Sequence, residues 1–130
     1  MSQENVEILQ RTYAAFERGD ISAALDDADP GLVTYRADPE AATWHGPEGF
    51  LQAFADWTEG FDDFSATAEE FIDAGERVIV RVHQQATGQS SGAPVEAAFW
   101  FVHTLSEGKI TRLDMFASKA PALEAAGLPE

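Results

Sequence analysis

Three strand-like segments follow one another between Gly75 and Ala117, and this stretch constrains the fold more than any other part of the chain. The segments are Arg77–Thr87, Val95–Leu105 and Lys109–Ala117, and short connections rich in Gly, Pro and Ser separate them. Runs of Val, Ile, Phe, Trp and Thr bounded by such residues are typical of an antiparallel meander. What the chain can do therefore depends on which side chains of this sheet point inward.

Residues alternate between the two faces of a strand, so each segment offers two sets of side chains. In the first and third segments one set carries no charge, and burial favours that set on the inner face. These inward sets are Val78, Val80, Val82 and Gln84 in the first segment, and Leu113, Met115 and Ala117 in the third. The middle segment is apolar on both faces, so its residues alone leave two orientations open. The alternatives are Ala97, Phe99, Phe101 and His103 inward, or Ala98, Trp100 and Val102 inward.

Composition excludes several classes of protein. The chain has 130 residues, 45% of them hydrophobic, which fits one folded domain over residues 1–130. Its net charge of -15 argues against binding to nucleic acid or to an anionic membrane surface, because both need clustered cations. The sequence has no cysteine, no apolar run long enough to span a membrane and no signal-peptide pattern at its start. We therefore expect a cytoplasmic location.

Helical patterns precede the meander. Apolar residues spaced three and four positions apart predict a first helix ending at Gly19, a short one around Ile21–Leu25, and a third from Gly46 to Gly60. The apolar face of the third comprises Phe50, Leu51, Phe54 and Trp57. The remaining predictions are strands at Leu32–Tyr35 and Phe64–Ile72, a turn at Asp29–Gly31, a loop at Ala37–Thr43 and a closing helix at Ala120–Ala126. This order predicts an α+β fold in which helices cover one face of a curved antiparallel sheet.

Short motifs spread along the chain point to a family. They are Gly19-Asp20-Ile21, Trp44–Gly49, Asp73–Val78, Ser91-Gly92 and Glu107–Ile110. Together, over about residues 4 to 128, the sequence resembles the SnoaL-like branch of the nuclear transport factor 2 superfamily. The resemblance implies a cone-shaped α+β domain with a deep apolar pocket, and it favours the inward orientation of Phe99, Phe101 and His103. It also implies a homodimer through the outer face of the sheet, where Trp100 and Val102 would then be exposed.

The relatives in this superfamily include steroid isomerases, polyketide cyclases, epoxide hydrolases and non-catalytic binding modules. Their familiar catalytic groups are not found at the matching positions of this sequence. Met115 stands where the cyclases and epoxide hydrolases have an aspartate, and Asp114 is one residue away, on the opposite face. Val82 and Gln84 stand where the epoxide hydrolases have an Arg and an Asp, and Phe101 where the steroid isomerases have a protonated Asp. The resemblance therefore leaves catalysis open.

Three other residues are candidates for chemistry. Asp38 resembles the general base of the steroid isomerases by its place after the first strand, although an Asp-Pro turn on a solvated loop explains it equally. Tyr13 lies on the apolar stripe of the first helix, where a phenol could donate to an enolate or simply belong to the core. His103 could act as an acid or base, or hydrogen-bond a ligand, or be a core histidine satisfied by a neighbour.

We expect the pocket wall to consist of apolar and aromatic side chains with a few polar groups. The ligand-binding candidates are Phe16, Trp44, Phe54, Trp57, Val82, Gln84, Phe99, Phe101, Leu113 and Met115. Three scattered His residues without Cys do not form a recognisable metal set, so we expect neither a metal nor a cofactor. The leading hypothesis is a cofactor-free isomerase or cyclase acting on an apolar, carbonyl-bearing molecule. The alternatives are a non-catalytic ligand-binding or accessory module of the same fold, and a subunit that contributes only an interaction surface.

Overall fold

The computed structural model of the chain describes residues 2–129, so Met1 and Glu130, the ends of the predicted domain, lie outside the described residues. The described helices are α1 (Ser2–Glu17), α2 (Ile21–Ala24), α3 (Gly46–Thr58) and α4 (Lys119–Ala125). The strands are β1 (Ala28–Arg36), β2 (Ala42–His45), β3 (Phe61–Ala74), β4 (Arg77–Gly88), β5 (Pro94–Ser106) and β6 (Lys109–Phe116). The predicted α+β class, with helices packed on a curved sheet, is confirmed.

All six described strands form one sheet in the order β2-β1-β6-β5-β4-β3. The predicted meander is present as β4, β5 and β6, and β3 precedes it, each strand antiparallel to the next. The expectation of a fully antiparallel sheet is wrong at one pair, because β1 runs parallel to β6. After β2 the chain passes through α3 to β3, at the far edge of the sheet. It then returns through β4 and β5 to β6, each strand antiparallel to the one before it. As a result β6 lies beside β1 and runs in the same direction.

The first two strands differ most from prediction. Asp29–Gly31 lies within β1 and is not a turn between elements, because the register between β1 and β6 shifts there and accommodates the irregular residues. The Gly31 amide donates to Asp29 Oδ2 at 2.7 Å. Asp29 thus forms, inside the strand, the side chain–backbone hydrogen bond that is typical of Asp in a turn. Ala42–His45, placed in or beside a predicted loop, forms the edge strand β2. Four residues are too few to show a clear alternation, and this explains why the pattern missed it.

The two faces of the sheet pack against different helices. On the inner face, Leu9 and Tyr13 of α1 pack against the buried valines of β4, including Val80. Leu9 and Tyr13 are four positions apart, the spacing that the sequence predicts for a core-facing stripe, and Ile8 is buried beside them. In α3 the apolar face is narrower than predicted, since Leu51 is 40% exposed and therefore lies outside the core.

On the outer face, α4 covers the middle of the sheet. Ala122 and Ala126 of the α4 region pack against Ile79 and Val102, and Val102 is only 1% exposed. The expectation that Val102 is exposed beside Trp100 is therefore wrong, because α4 of the same chain covers Val102. The homodimer stays a prediction, and the half-buried Trp100 is the residue that remains as a candidate for its interface. Within residues 2–129 no helix is long and apolar enough to cross a membrane.

We predict that α4 stabilises the fold through Val102. Replacing Val102 with Ala removes two buried methyl groups and leaves a void, so the free energy of unfolding should fall by roughly 2 kcal/mol. The matched control is Val95→Ala on the same strand, where the side chain is 44% exposed and the loss should stay below about 0.5 kcal/mol. Urea unfolding followed by circular dichroism measures both. Equal losses in the two variants would show that α4 does not cover this face in solution.

Candidate functional site

A cavity of about 120 Å³ lies between the inner face of the sheet and the helices α1, α2 and α3. Of the thirteen residues predicted from the sequence as site residues, twelve line this cavity. They are Tyr13, Phe16, Asp38, Phe54, Trp57, Val82, Gln84, Phe99, Phe101, His103, Leu113 and Met115. The inward orientation of Phe99, Phe101 and His103, which the residues of β5 alone left open, is therefore the one present.

The thirteenth residue, Trp44, does not line the cavity, and its prediction as a wall residue is wrong. Trp44 belongs to the edge strand β2, which the sequence did not reveal, and its ring lies 5.1 Å from the guanidinium carbon of Arg36. Its contact with the site is thus indirect. It packs against a residue that does line the cavity.

The wall is mainly aromatic. Phe16 of α1 meets Phe54 of α3 edge to face at 5.2 Å between ring centroids, and Trp57 meets Phe99 in the same way at 5.4 Å. Edge-to-face packing joins the two helices to each other and to the sheet. Because such walls exclude water, the few polar groups among them interact more strongly with a ligand than they would in solvent.

The polar centre of the cavity is a hydrogen bond between Tyr13 and His103. Tyr13 Oη and His103 Nε2 lie 2.7 Å apart, and both side chains are buried. Residues of α1 and β5 are joined here across 90 positions of the sequence. His103 Nδ1 has no hydrogen-bond partner among the described residues.

Burial decides the protonation of this pair. Desolvation lowers the pKa of His103 to about 3, so the imidazole is neutral at physiological pH. The same cause raises the pKa of the Tyr13 hydroxyl, which therefore remains a phenol. Of the roles predicted for His103, hydrogen bonding fits its environment, and acid–base exchange near neutral pH does not.

Two proton arrangements satisfy the distance between Tyr13 and His103. If Tyr13 donates to Nε2, the imidazole proton sits on Nδ1, which has no acceptor among the described residues. If His103 donates through Nε2 to the phenol oxygen, the hydroxyl proton of Tyr13 has no acceptor among the described residues and is available to a ligand in the cavity. The second arrangement makes Tyr13 a hydrogen-bond donor to a ligand.

A second polar contact fixes the amide of Gln84. Trp57 Nε1 lies 2.8 Å from Gln84 Oε1, and because an indole N–H only donates, the Gln84 oxygen is the acceptor. The Nε2 group of Gln84 therefore keeps both of its N–H donors, and no described side chain accepts them. Gln84 lines the cavity, so this amide is a neutral donor with a set orientation.

Two charged residues complete the lining, Arg36 and Asp38. Asp38 is exposed, in the short segment between β1 and β2, so this end of the cavity is open to solvent and is called the mouth below. The Arg36 side chain is 14% exposed, and its guanidinium pairs with Asp56 Oδ2 at 2.9 Å. Arg36 is a site residue that the sequence did not suggest, because the predicted strand ended at Tyr35. Had that strand been one residue longer, alternation would have placed Arg36 on the inner face.

Three of the four positions at which the resemblance implies charged catalytic groups are apolar in this cavity, and the fourth is the neutral Gln84. Val82, Phe101 and Met115 all line the cavity, so no carboxylate projects from these places. Among residues 2–129 no group of three or more His, Cys, Asp or Glu side chains is arranged to hold a metal ion. The chemistry that this site can perform therefore depends on Tyr13, His103 and Gln84 inside and on Arg36 and Asp38 at the mouth.

Comparisons with known proteins agree with this architecture. The model of the SnoaL-like domain matches residues 9–113. An NTF2-like protein from Burkholderia thailandensis has 24% sequence identity and a TM-score of 0.77, with 95% of this chain and 96% of that one covered. A protein from Jannaschia sp., whose name gives it as a candidate SnoaL-like polyketide cyclase, has 19% identity and a TM-score of 0.75, covering 98% and 94%.

A third similar structure was solved with a small ligand. It is a hypothetical protein with a ketosteroid isomerase-like fold from Catenulispora acidiphila, in complex with trimethylamine. Its identity is 18%, its TM-score is 0.72, and 95% of this chain and 94% of that one are covered. A search of curated proteins found no match to this sequence. At these identities the structural likeness shows the fold alone.

The neutral state of His103 predicts a specific pH dependence of stability. With a pKa of about 3 in the folded chain and an ordinary value near 6.5 when unfolded, the unfolded state binds the extra proton between these values. The contribution of His103 is thus complete above about pH 6.5 and is lost as the pH falls. Relative to His103→Gln, wild type should lose about 2 kcal/mol more between about pH 7 and about pH 5. Gln keeps a partner for Tyr13, and parallel pH profiles for the two proteins would show that His103 is not buried as neutral imidazole.

Proposed function

Since the chain belongs to the SnoaL-like domain family, we propose that it binds a small apolar molecule with a carbonyl group and moves a proton beside that carbonyl without a cofactor. The observation that carries the proposal is the buried hydrogen bond between Tyr13 and His103 in an otherwise apolar cavity. A desolvated phenol is a strong donor for an oxygen that becomes negative during a reaction. The reaction class is therefore isomerisation, or a cyclisation that begins at an enolate.

Tyr13 would receive the carbonyl oxygen. Neutral His103, donating through Nε2 to the phenol oxygen, keeps the hydroxyl proton of Tyr13 directed to the ligand and increases its strength as a donor. The raised pKa of Tyr13 keeps that proton on the phenol, so Tyr13 stabilises an enolate by donation and does not act as a base. Gln84 Nε2 offers a second, neutral donor on the same wall.

Asp38 would be the base. Its carboxylate takes a proton from the carbon next to the carbonyl, and the electrons of that C–H bond move to the carbonyl oxygen, which Tyr13 stabilises. For a β,γ-unsaturated ketone, Asp38 then returns the proton to the γ carbon and the α,β-unsaturated isomer forms. Atoms and electrons balance without any further reagent. The place of Asp38 in the cavity lining, at the exposed mouth, supports this role.

A second candidate function is ligand binding without chemistry. Specific observations favour it: Asp38 is exposed, and the four positions where the resemblance implies charged groups carry no charge here. A neutral His103 bonded to Tyr13 also fits a site that only recognises a carbonyl. Both candidates share the ligand class and differ only in whether Asp38 reaches the acidic carbon.

We predict that the protein isomerises a cyclohexenone whose double bond is β,γ to the carbonyl, followed by ultraviolet absorbance of the conjugated product. Asp38→Asn should lower the rate roughly 100-fold, because the amide cannot accept the proton. Tyr13→Phe should lower it by roughly 100- to 1000-fold, the usual cost of losing one donor to a developing oxyanion.

The matched control is Glu40→Gln, which removes an exposed carboxylate from the same segment and should leave the rate unchanged. A rate that is the same in Asp38→Asn as in wild type would exclude Asp38 as the base. If cyclohexanone, the saturated ketone, binds but neither wild type nor Asp38→Asn isomerises the cyclohexenone, ligand binding without chemistry is the correct function.

A further inference from the structure

We infer that Arg36 is a specificity-determining residue of the cavity and selects ligands that carry a carboxylate or an equivalent anionic oxygen at the mouth. The ligand class is then a small apolar acid of about one ring. The expectation that such a ligand has a carbonyl group at its other end rests on the proposed function. The expectation that Arg36 selects a negative charge does not. The two ideas can therefore fail separately.

The fold places this cation on the apolar face of the sheet. Leu32, Thr34 and Arg36 alternate along β1 on one face, and Leu32 and Thr34 are 3% and 0% exposed. Arg36 lies opposite Met115 in the register of β1 with β6 and lines the cavity. A cation at a largely buried position is costly unless its environment or its ligand compensates it.

Several contacts hold the guanidinium in one orientation. Nη1 donates to Asp56 Oδ2 at 2.9 Å and Nε donates to the Glu40 carbonyl oxygen at 3.3 Å. The guanidinium carbon lies 5.1 Å from the ring centroid of Trp44 and 5.8 Å from that of Trp57. Aromatic faces and a carboxylate together fix a planar guanidinium, so little freedom is lost when it binds a ligand.

These contacts leave part of the Arg36 guanidinium without a protein partner among the described residues. None of the described residues accepts a hydrogen bond from Arg36 Nη2, so its two N–H donors are available. Asp56 compensates the charge only in part, because its side chain is 53% exposed and therefore solvated. Arg36 is the one cation among the described residues that line the cavity, since His103 is neutral. An anionic oxygen next to the apolar walls would meet this guanidinium in a region of low dielectric.

The volume of the cavity limits the rest of the ligand. An apolar protein cavity of about 150 Å³ holds one benzene ring. At about 120 Å³, with an open mouth, the present cavity accommodates one ring or a short branched chain in this conformation. The aromatic wall that includes Phe99 and Phe101 suits such an apolar body, and the acidic group then falls near Arg36.

Calorimetric titration with two probes of nearly the same shape tests the inference. The probes are cyclohexanecarboxylate and cyclohexanecarboxamide, which differ in charge and share the ring. Wild type should bind the carboxylate at least about 10-fold more tightly, the usual scale for a hydrogen bond to a charged group. Arg36→Gln should abolish this preference while it changes the affinity for the amide by less than about 3-fold.

Arg81→Gln is the matched control. Arg81 also pairs with a carboxylate, Glu69, and lies 5.7 Å from the centroid of the Trp100 ring, but it does not line the cavity. It should keep the preference of wild type. Asp56→Asn gives a second, opposite test that does not require removal of Arg36: freeing the guanidinium should tighten carboxylate binding and leave the amide unchanged.

Three results would overturn the inference. They are equal affinity of wild type for both probes, a preference that persists in Arg36→Gln, and failure of both probes to bind at millimolar concentration. Isomerisation of the neutral ketone does not enter this measurement. A protein that isomerises but shows no charge preference would refute the role of Arg36 alone, and one that prefers the carboxylate but never isomerises would refute the catalytic proposal alone.

Discussion

The hydrogen bond between Tyr13 and His103 is the contact on which the cavity depends. It joins α1 to the middle of the sheet across 90 positions of the chain, in a place where both partners are buried. Tyr13 Oη and His103 Nε2 are each other's partner, so removal of either side chain leaves a buried polar atom without one. The same desolvation keeps the imidazole neutral and the phenol protonated. A single contact thus joins the helix to the sheet and forms the polar centre of the cavity.

The remaining polar groups are ordered from the interior to the solvent. Tyr13 and His103 are buried, Gln84 is half-buried with its amide fixed by Trp57, and Asp38 is exposed. Neutral polar groups therefore occupy the interior of the cavity, while the carboxylate of Asp38 lies at the mouth, where water solvates it. A ligand that matches this order has an apolar body, a neutral acceptor inside and its most polar group outside.

Strand alternation made much of this site predictable from the sequence, and its limits explain the errors. Uncharged sets on β4 and β6 identified Val82, Gln84 and Met115 as inward-facing, because one face of a strand must be buried. Arg36 was missed because the predicted strand ended at Tyr35, one residue before the end of β1. The burial of Val102 could not be derived from β5 itself, since it results from α4, which docks from the end of the chain.

The distribution of charge around Met115 bears on the choice between catalysis and binding. The resemblance implies an aspartate of the cyclases and epoxide hydrolases at this position, and here it is apolar. The neighbouring segment of β1 runs directly beside it: Arg36 is its register partner, and the Ala37 amide donates to the Met115 carbonyl oxygen at 3.0 Å. The charged residues of the cavity lining therefore lie at the end of β1 and at Asp38, beside β6 and not on it. Under the proposed function Asp38 would approach a ligand from the mouth, so only a ligand whose acidic carbon lies near the mouth, with its carbonyl directed to Tyr13, would react. A ligand whose acidic carbon lies deeper would be bound and left unchanged, so the geometry of the ligand, as much as that of the protein, would determine which of the two proposed functions is expressed.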